Sequence, residues 1–143
     1  MNDEAHWRAM AIDYGAKRVG VALTDPTRTI SYPYETWTND SSLLSKIAEL
    51  VEREDVRVVA LGYPLKVDGS PTDATKPVET FKKKLETATG VEVVLRDERY
   101  TSSEAKRRIL QSVPGRMKRR DKALVDRNAA AIILEEFMAE RFG

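Results

Sequence analysis

The chain has 143 residues, 24 Lys+Arg against 23 Asp+Glu, a net charge of +1, a single histidine and no cysteine. This length suits one domain, 1–143, with its own core, and the 41% apolar content argues against disorder. The missing cysteines exclude disulfides, thiolate catalysis and thiolate zinc sites, and the lone His6 makes histidine-based chemistry a poor fit.

Arg8 to Asp13 (RAMAID) is short and apolar and meets a glycine-bearing turn, Tyr14-Gly15-Ala16-Lys17; Arg18 to Thr24 then resumes as a strand, so the two should form a hairpin. Asp25-Pro26 stops it. Ile30 to Trp37 is aromatic and β-branched, with Pro33 confining it to a sheet edge. Leu43, Leu44, Ile47, Leu50 and Val51 fall at helical spacing. Val56 to Gly62 reads as a buried strand, followed by a polar loop over Val67 to Asp73. Val78, Phe81 and Leu85 mark a second helix ended by Gly90, and Val91 to Leu95 is the next strand. Thr101-Ser102-Ser103-Glu104 matches a capping box and should open a helix through Leu110, broken by Pro114-Gly115. A last helix is expected from about Val125 to Phe142.

A hairpin must be antiparallel, whereas strand–helix–strand units favour parallel pairing through right-handed crossovers. The expectation is an α/β fold, a mixed sheet with helices on both faces. No apolar run approaches the roughly 20 residues of a membrane span. The N-terminal MNDEAHWR does not read as a signal peptide, so a cytoplasmic location without membrane attachment is expected.

In open α/β sheets, ligands bind beyond the carboxyl ends of the parallel strands. Asp13 and the adjacent Asp97 and Glu98 should lie on that edge. Asp126, Ala130, Ile133 and Phe137 follow i, i+4, i+7, i+11 spacing, so packing of the apolar members carries Asp126 inward from the last helix. Each acid alone has a plainer reading: turn chemistry for Asp13, a solvated strand end for Asp97 and Glu98, the helix dipole for Asp126. Together they repel one another unless a cation sits among them, and an all-oxygen donor set suits Mg²⁺ or Mn²⁺. Such ions activate water and stabilise the leaving oxygen of a phosphodiester. Adjacent residues of a strand point to opposite sides, so Asp97 and Glu98 compete for the cleft, and spacing leaves the choice open.

Basic residues surround these acids in sequence. Lys17 and Arg18 flank Asp13, Arg99 follows Glu98, and Arg116, Lys118, Arg119 and Arg120 precede Asp126. All are candidates for phosphate contact, with solvated surface or local ion pairing as the alternative.

Four segments, AIDYGAKRVGVALTD, LGYPLKVDGS, DERYTS and VDRNAAAIILEEFM, together resemble the YqgF/RuvX family, nearly end to end and in the same order. These are bacterial proteins described as Holliday junction resolvases and as nucleases processing the 5′ end of precursor small-subunit ribosomal RNA. The resemblance implies an RNase H-like fold, a five-stranded sheet in which a three-strand antiparallel meander joins two parallel crossover strands. It places the family's acids on Asp13, Glu98 and Asp126, with Asp97 the lesser metal candidate, and implies Mg²⁺- or Mn²⁺-dependent hydrolysis of a phosphodiester bond. Tyr63 stands where the family usually has leucine, and Arg127-Asn128 where smaller or less charged residues are common.

The leading expectation is an endonuclease acting on RNA in ribosome maturation, with nucleic acid and ribosome precursors as partners and a monomer or homodimer as the working unit. A resolvase of four-way DNA junctions uses the same site but needs two symmetric cuts and hence a dimer. A non-catalytic nucleic-acid-binding module is a third reading. An actin-like ATPase would need a second comparable domain, for which the chain is too short.

Overall fold

The computed structural model describes residues 5–98 and 122–143. In chain order it contains β1 (Arg8–Tyr14), β2 (Arg18–Thr24), β3 (Ser31–Thr38), α1 (Leu43–Arg53), β4 (Val56–Tyr63), α2 (Thr75–Thr89), β5 (Glu92–Asp97) and α3 (Lys122–Arg141). The sheet order is β3-β2-β1-β4-β5. β1, β2 and β3 pair antiparallel, while β4 pairs parallel with both β1 and β5. The expected mixed five-stranded sheet is therefore present, and β3 with its Pro33 occupies an edge.

Element limits differ modestly from expectation. β1 and β5 run past Asp13 and Leu95 to Tyr14 and Asp97, because ladder pairing continues to Val19 and Tyr63. The last helix starts at Lys122, one turn before the expected Val125, and ends at Arg141 rather than Phe142. α2 begins at Thr75, ahead of Val78. Its end is as expected: Gly90 adopts φ 71°, and its N–H donates to the Glu86 carbonyl. The expected capping box, the helix through Leu110 and the Pro114-Gly115 break lie outside the described residues.

The two sheet faces are built from different side chains. Met10, Ile12, Val19, Val21, Leu23, Val59 and Leu61 point toward α1 and α2, where Ile47, Leu50, Val78, Phe81 and Leu85 complete a large-residue core. Residues of the opposite parity are mostly small: Ala9, Ala11, Ala22 and Ala60, with Val58, pack against Ala130, Ile133, Leu134 and Phe137 of α3. A strand alternates its side chains between faces, so large–small alternation along β1, β2 and β4 sorts bulk to one side. The small side lets α3 approach closely. At Gly20 a Cβ would lie 2.2 Å from the Asp126 backbone oxygen, so only glycine accommodates the helix there.

The far end of α3 is tied to β5 by charge. Arg96 lies 2.5 Å from Glu140 and 3.7 Å from Glu136, and Arg141 lies 2.6 Å from Glu92. Among the described residues, no helix is long and apolar enough to cross a membrane.

Candidate active site

Asp13 belongs to the small-residue face, two positions beyond Ala11. Its partner on β2 is Gly20. On β4, one step beyond the Ile12–Leu61 pair, Asp13 is level with Gly62. The carboxylate thus stands between two strand positions that have no side chain. Both gaps are used: the α3 backbone at Asp126 fills the space over Gly20, and the Glu98 carboxyl fills the space over Gly62. A Cβ on Gly62 would meet Glu98 Oε2 at 2.5 Å and Ile133 Cδ1 at 2.9 Å.

β5 decides between the adjacent acids. Val94 packs on the α3 side and Arg96 reaches the α3 carboxylates, so Glu98 continues that parity and Asp97 does not. The Glu98 N–H donates to the Tyr63 carbonyl at 3.3 Å, holding the residue at the strand's end. Asp97 is exposed, while the half-buried Glu98 side chain hydrogen-bonds Asp13.

The electrostatics follow from burial. Glu98 is pushed up to about 10 by desolvation first, then by the Asp13 charge, by its hydrogen bond to Asp13 and by the Asp97 charge. Asp13 is raised to about 6 by desolvation, against the lowering effect of the Glu98 hydrogen bond, with the Asp126 charge adding to the rise. Two carboxyls forced together cannot both ionise cheaply, so at neutral pH the pair holds one proton, with protonated Glu98 donating to Asp13.

Asp126 sits in the first turns of α3, close enough for its charge to act on Asp13. Its carboxylate is also engaged elsewhere: Arg18 Nε donates to Asp126 Oδ2 at 2.9 Å. Arg18 opens β2 and faces the site, whereas Lys17 stays exposed in the turn, its carbonyl accepting from the Asn39 N–H at 2.9 Å. Among the described residues, no set of three acidic, histidine or cysteine side chains is already arranged to hold an ion. The structure brings Asp13 and Glu98 into direct contact, with Asp126 beside them in an ion pair. Arg99, Arg116, Lys118, Arg119 and Arg120 lie outside the described residues.

Sequence reasoning missed three contributors. Gly20 and Gly62 hold the site open, and a glycine inside a strand is the signal that marks close approach. The Arg18–Asp126 pair joins residues 108 positions apart, and spacing offers no signal for it. A cavity of about 640 Å³ lies on the other sheet face between α1 and α2, lined by Tyr14, Leu44, Lys76, Phe81 and Lys84; it does not contain the acids.

Comparison with known proteins bears on this arrangement. Residues 7–140 match a family model described as "RuvX: Holliday junction resolvase". Proteins named "Putative pre-16S rRNA nuclease" are similar across 92% of the chain: 39% identical in Porphyromonas gingivalis, over 95% of that protein, and 32% in Dictyoglomus turgidum, over 93%. Among solved structures, Thermus thermophilus RuvC in complex with a Holliday junction substrate aligns with a TM-score of 0.58 and 16% identity, covering 96% of this chain and 97% of that one. The Fowlpox virus resolvase bound to junction DNA aligns with a TM-score of 0.56 and 14% identity, covering 95% and 99%. At such identities these structures establish a shared RNase H-like fold. The family-model match and the relatives' identity over nearly the whole length establish more: this chain belongs to the RuvX family.

Proposed function

We propose that the protein is a divalent-metal-dependent endonuclease that hydrolyses phosphodiester bonds in precursor small-subunit ribosomal RNA, at or near its 5′ end. The observation that carries this reading is the Asp13–Glu98 contact. Two carboxyls are driven into one niche, emptied of side chains by Gly20 and Gly62, at a net cost that a cation or proton must offset. The relatives named as pre-16S rRNA nucleases supply the substrate class.

The residues fit Mg²⁺ or Mn²⁺: the donors are carboxylate oxygens, with neither sulfur nor nitrogen among them. Asp13 and Glu98 would hold the ion, with Asp126 as a further ligand and Asp97 as the lesser candidate. The ion supplies activation of water and charge stabilisation at the leaving oxygen. The protein's own groups have separate tasks. Glu98, which holds the pair's proton without metal, would release it to solvent on ion binding. Lys17 and Arg18, at the turn beside Asp13, attract the phosphate backbone past the acids. Arg99 and the basic run of Arg116, Lys118, Arg119 and Arg120, just ahead of α3 in sequence, extend that attraction.

Asp13→Asn keeps the shape of the side chain and removes its charge. Cleavage of precursor small-subunit RNA in Mg²⁺ or Mn²⁺ should fall at least a hundredfold while the circular dichroism spectrum stays unchanged. Unaltered cleavage by this variant would reject the assignment. A second reading, cutting of four-way DNA junctions, is favoured by the family's description. Assaying precursor RNA, single-stranded DNA and junctions side by side separates the two, because resolution also requires a dimer and paired cuts.

A further inference from the structure

Arg18 and Asp126 form an ion pair that sets a guanidinium charge against a candidate metal ligand. Arg18 Nε donates to Asp126 Oδ2 at 2.9 Å, with the arginine side chain 38% exposed and the aspartate 23%. The Asp126 backbone lies over Gly20, the β2 partner of Asp13, and the Asp126 charge acts on Asp13 through space. Among the described residues, the ion-pair partner of Asp126 is Arg18. Among the described residues no three-ligand set is ready for a metal. We infer that Arg18 is a positioning residue that holds Asp126 away from metal duty until a substrate phosphate draws the guanidinium off, so that completion of the metal site is coupled to nucleic-acid binding.

Three observations carry the inference, which rests on the metal-nuclease reading. The first is competition: the guanidinium holds Oδ2 and fixes the carboxylate's orientation, and its positive charge beside Asp126 opposes the approach of a divalent ion. The second is exposure. A pair this open to solvent is weak, worth a factor of about five in an equilibrium, so it can be exchanged rather than locked. The third is chemical preference. Guanidinium matches phosphate as well as carboxylate, in a forked geometry, and an incoming strand offers it many phosphates. Placement agrees, because Arg18 opens β2 at the same sheet edge as Asp13, where a strand must pass to be cut. The coupling is reciprocal: phosphate binding raises metal affinity, and metal raises affinity for the strand.

The experiment uses Mn²⁺ as the probe, titrated calorimetrically into the full chain with and without a phosphorothioate RNA oligonucleotide that resists cleavage. Wild type should bind Mn²⁺ weakly alone and about fivefold more tightly with the oligonucleotide. Arg18→Ala should bind Mn²⁺ about fivefold more tightly than wild type without the oligonucleotide, and adding it should produce a smaller gain than in wild type. Arg18→Gln, which keeps more of the side chain's packing, should behave like Arg18→Ala. A merely structural role for Arg18 would weaken Mn²⁺ binding instead. Weaker or unchanged Mn²⁺ affinity in both variants, or an equal gain from the oligonucleotide with and without Arg18, would overturn the coupling and leave the metal centre standing. Failure of Mn²⁺ to bind any of the three proteins in either condition would remove the metal centre, and the coupling with it.

Discussion

Glu98→Gln isolates the electrostatic cost of the site. The amide has nearly the same shape as the protonated carboxyl and can donate the same hydrogen bond to Asp13, but it never titrates. In the wild type, Glu98 is raised from 4.5 to about 10, chiefly by burial and then by the Asp13 charge. At pH 7 the folded protein therefore keeps a proton that the unfolded chain would release. Each pH unit above the ordinary value costs roughly 1.4 kcal/mol, so retaining it costs up to about 3 kcal/mol. The sign is set by the direction of the shift. A carboxyl whose pKa is raised by folding contributes its stability below its unfolded value and loses it as pH climbs toward the folded one. Without divalent metal, Glu98→Gln should thus be more stable than wild type at pH 7, by about 1–3 kcal/mol. At about 3 °C per kcal/mol for a chain of this size, Tm should rise by roughly 3–10 °C. The advantage should shrink to nothing near pH 4, where wild-type Glu98 is protonated in both states. Thermal melts from pH 4 to pH 9 in EDTA measure it. A variant less stable than wild type at pH 7, or a difference independent of pH, would refute the electrostatic account of the pair.

The two site glycines should fail differently. At Gly62→Ala the new Cβ meets the ends of two side chains, Glu98 at 2.5 Å and Ile133 at 2.9 Å, so the fold should lose only about 1 kcal/mol in denaturant melts while RNA cleavage drops at least tenfold. At Gly20→Ala it meets α3 backbone at 2.2 Å, which cannot step aside; unfolding should become easier by at least about 3 kcal/mol, read from the urea midpoint. Leu134→Ala empties a fully buried position between α3 and the sheet and should cost about 2–5 kcal/mol in the same assay. Adding 10 mM Mg²⁺ should raise the wild-type Tm at pH 8 and do so much less at pH 5, because the ion must displace the shared proton; equal shifts at both values would argue against Asp13 and Glu98 as its ligands.

The elements were largely legible because each carries a local signature. Alternating bulk over Arg18–Thr24, helical spacing from Leu43 to Val51, and Gly90 closing α2 all act within a few residues. Strand ends moved by one or two residues where ladder pairing continued past the last periodic side chain, as at Tyr14 and Asp97. The antiparallel and parallel pairings followed from connectivity, since a hairpin is antiparallel and crossovers favour parallel strands.

The site was legible in part. That Asp13 and an acid of the Asp97-Glu98 pair share an edge depends only on which strands run parallel, and the sequence determined that through its alternation of strand and helix. Which acid turns inward required the parity of β5 as it lies against α3, where Val94 and Arg96 face the helix and carry Glu98 with them. That the inward acid touches Asp13 required Gly62 to be level with it on a neighbouring strand. That Asp126 is answered by Arg18 required α3 to descend onto Gly20. Periodicity along a chain is set by backbone geometry and is visible locally. The distance between side chains on different elements is set by how closely those elements pack, and only the tertiary structure decides it.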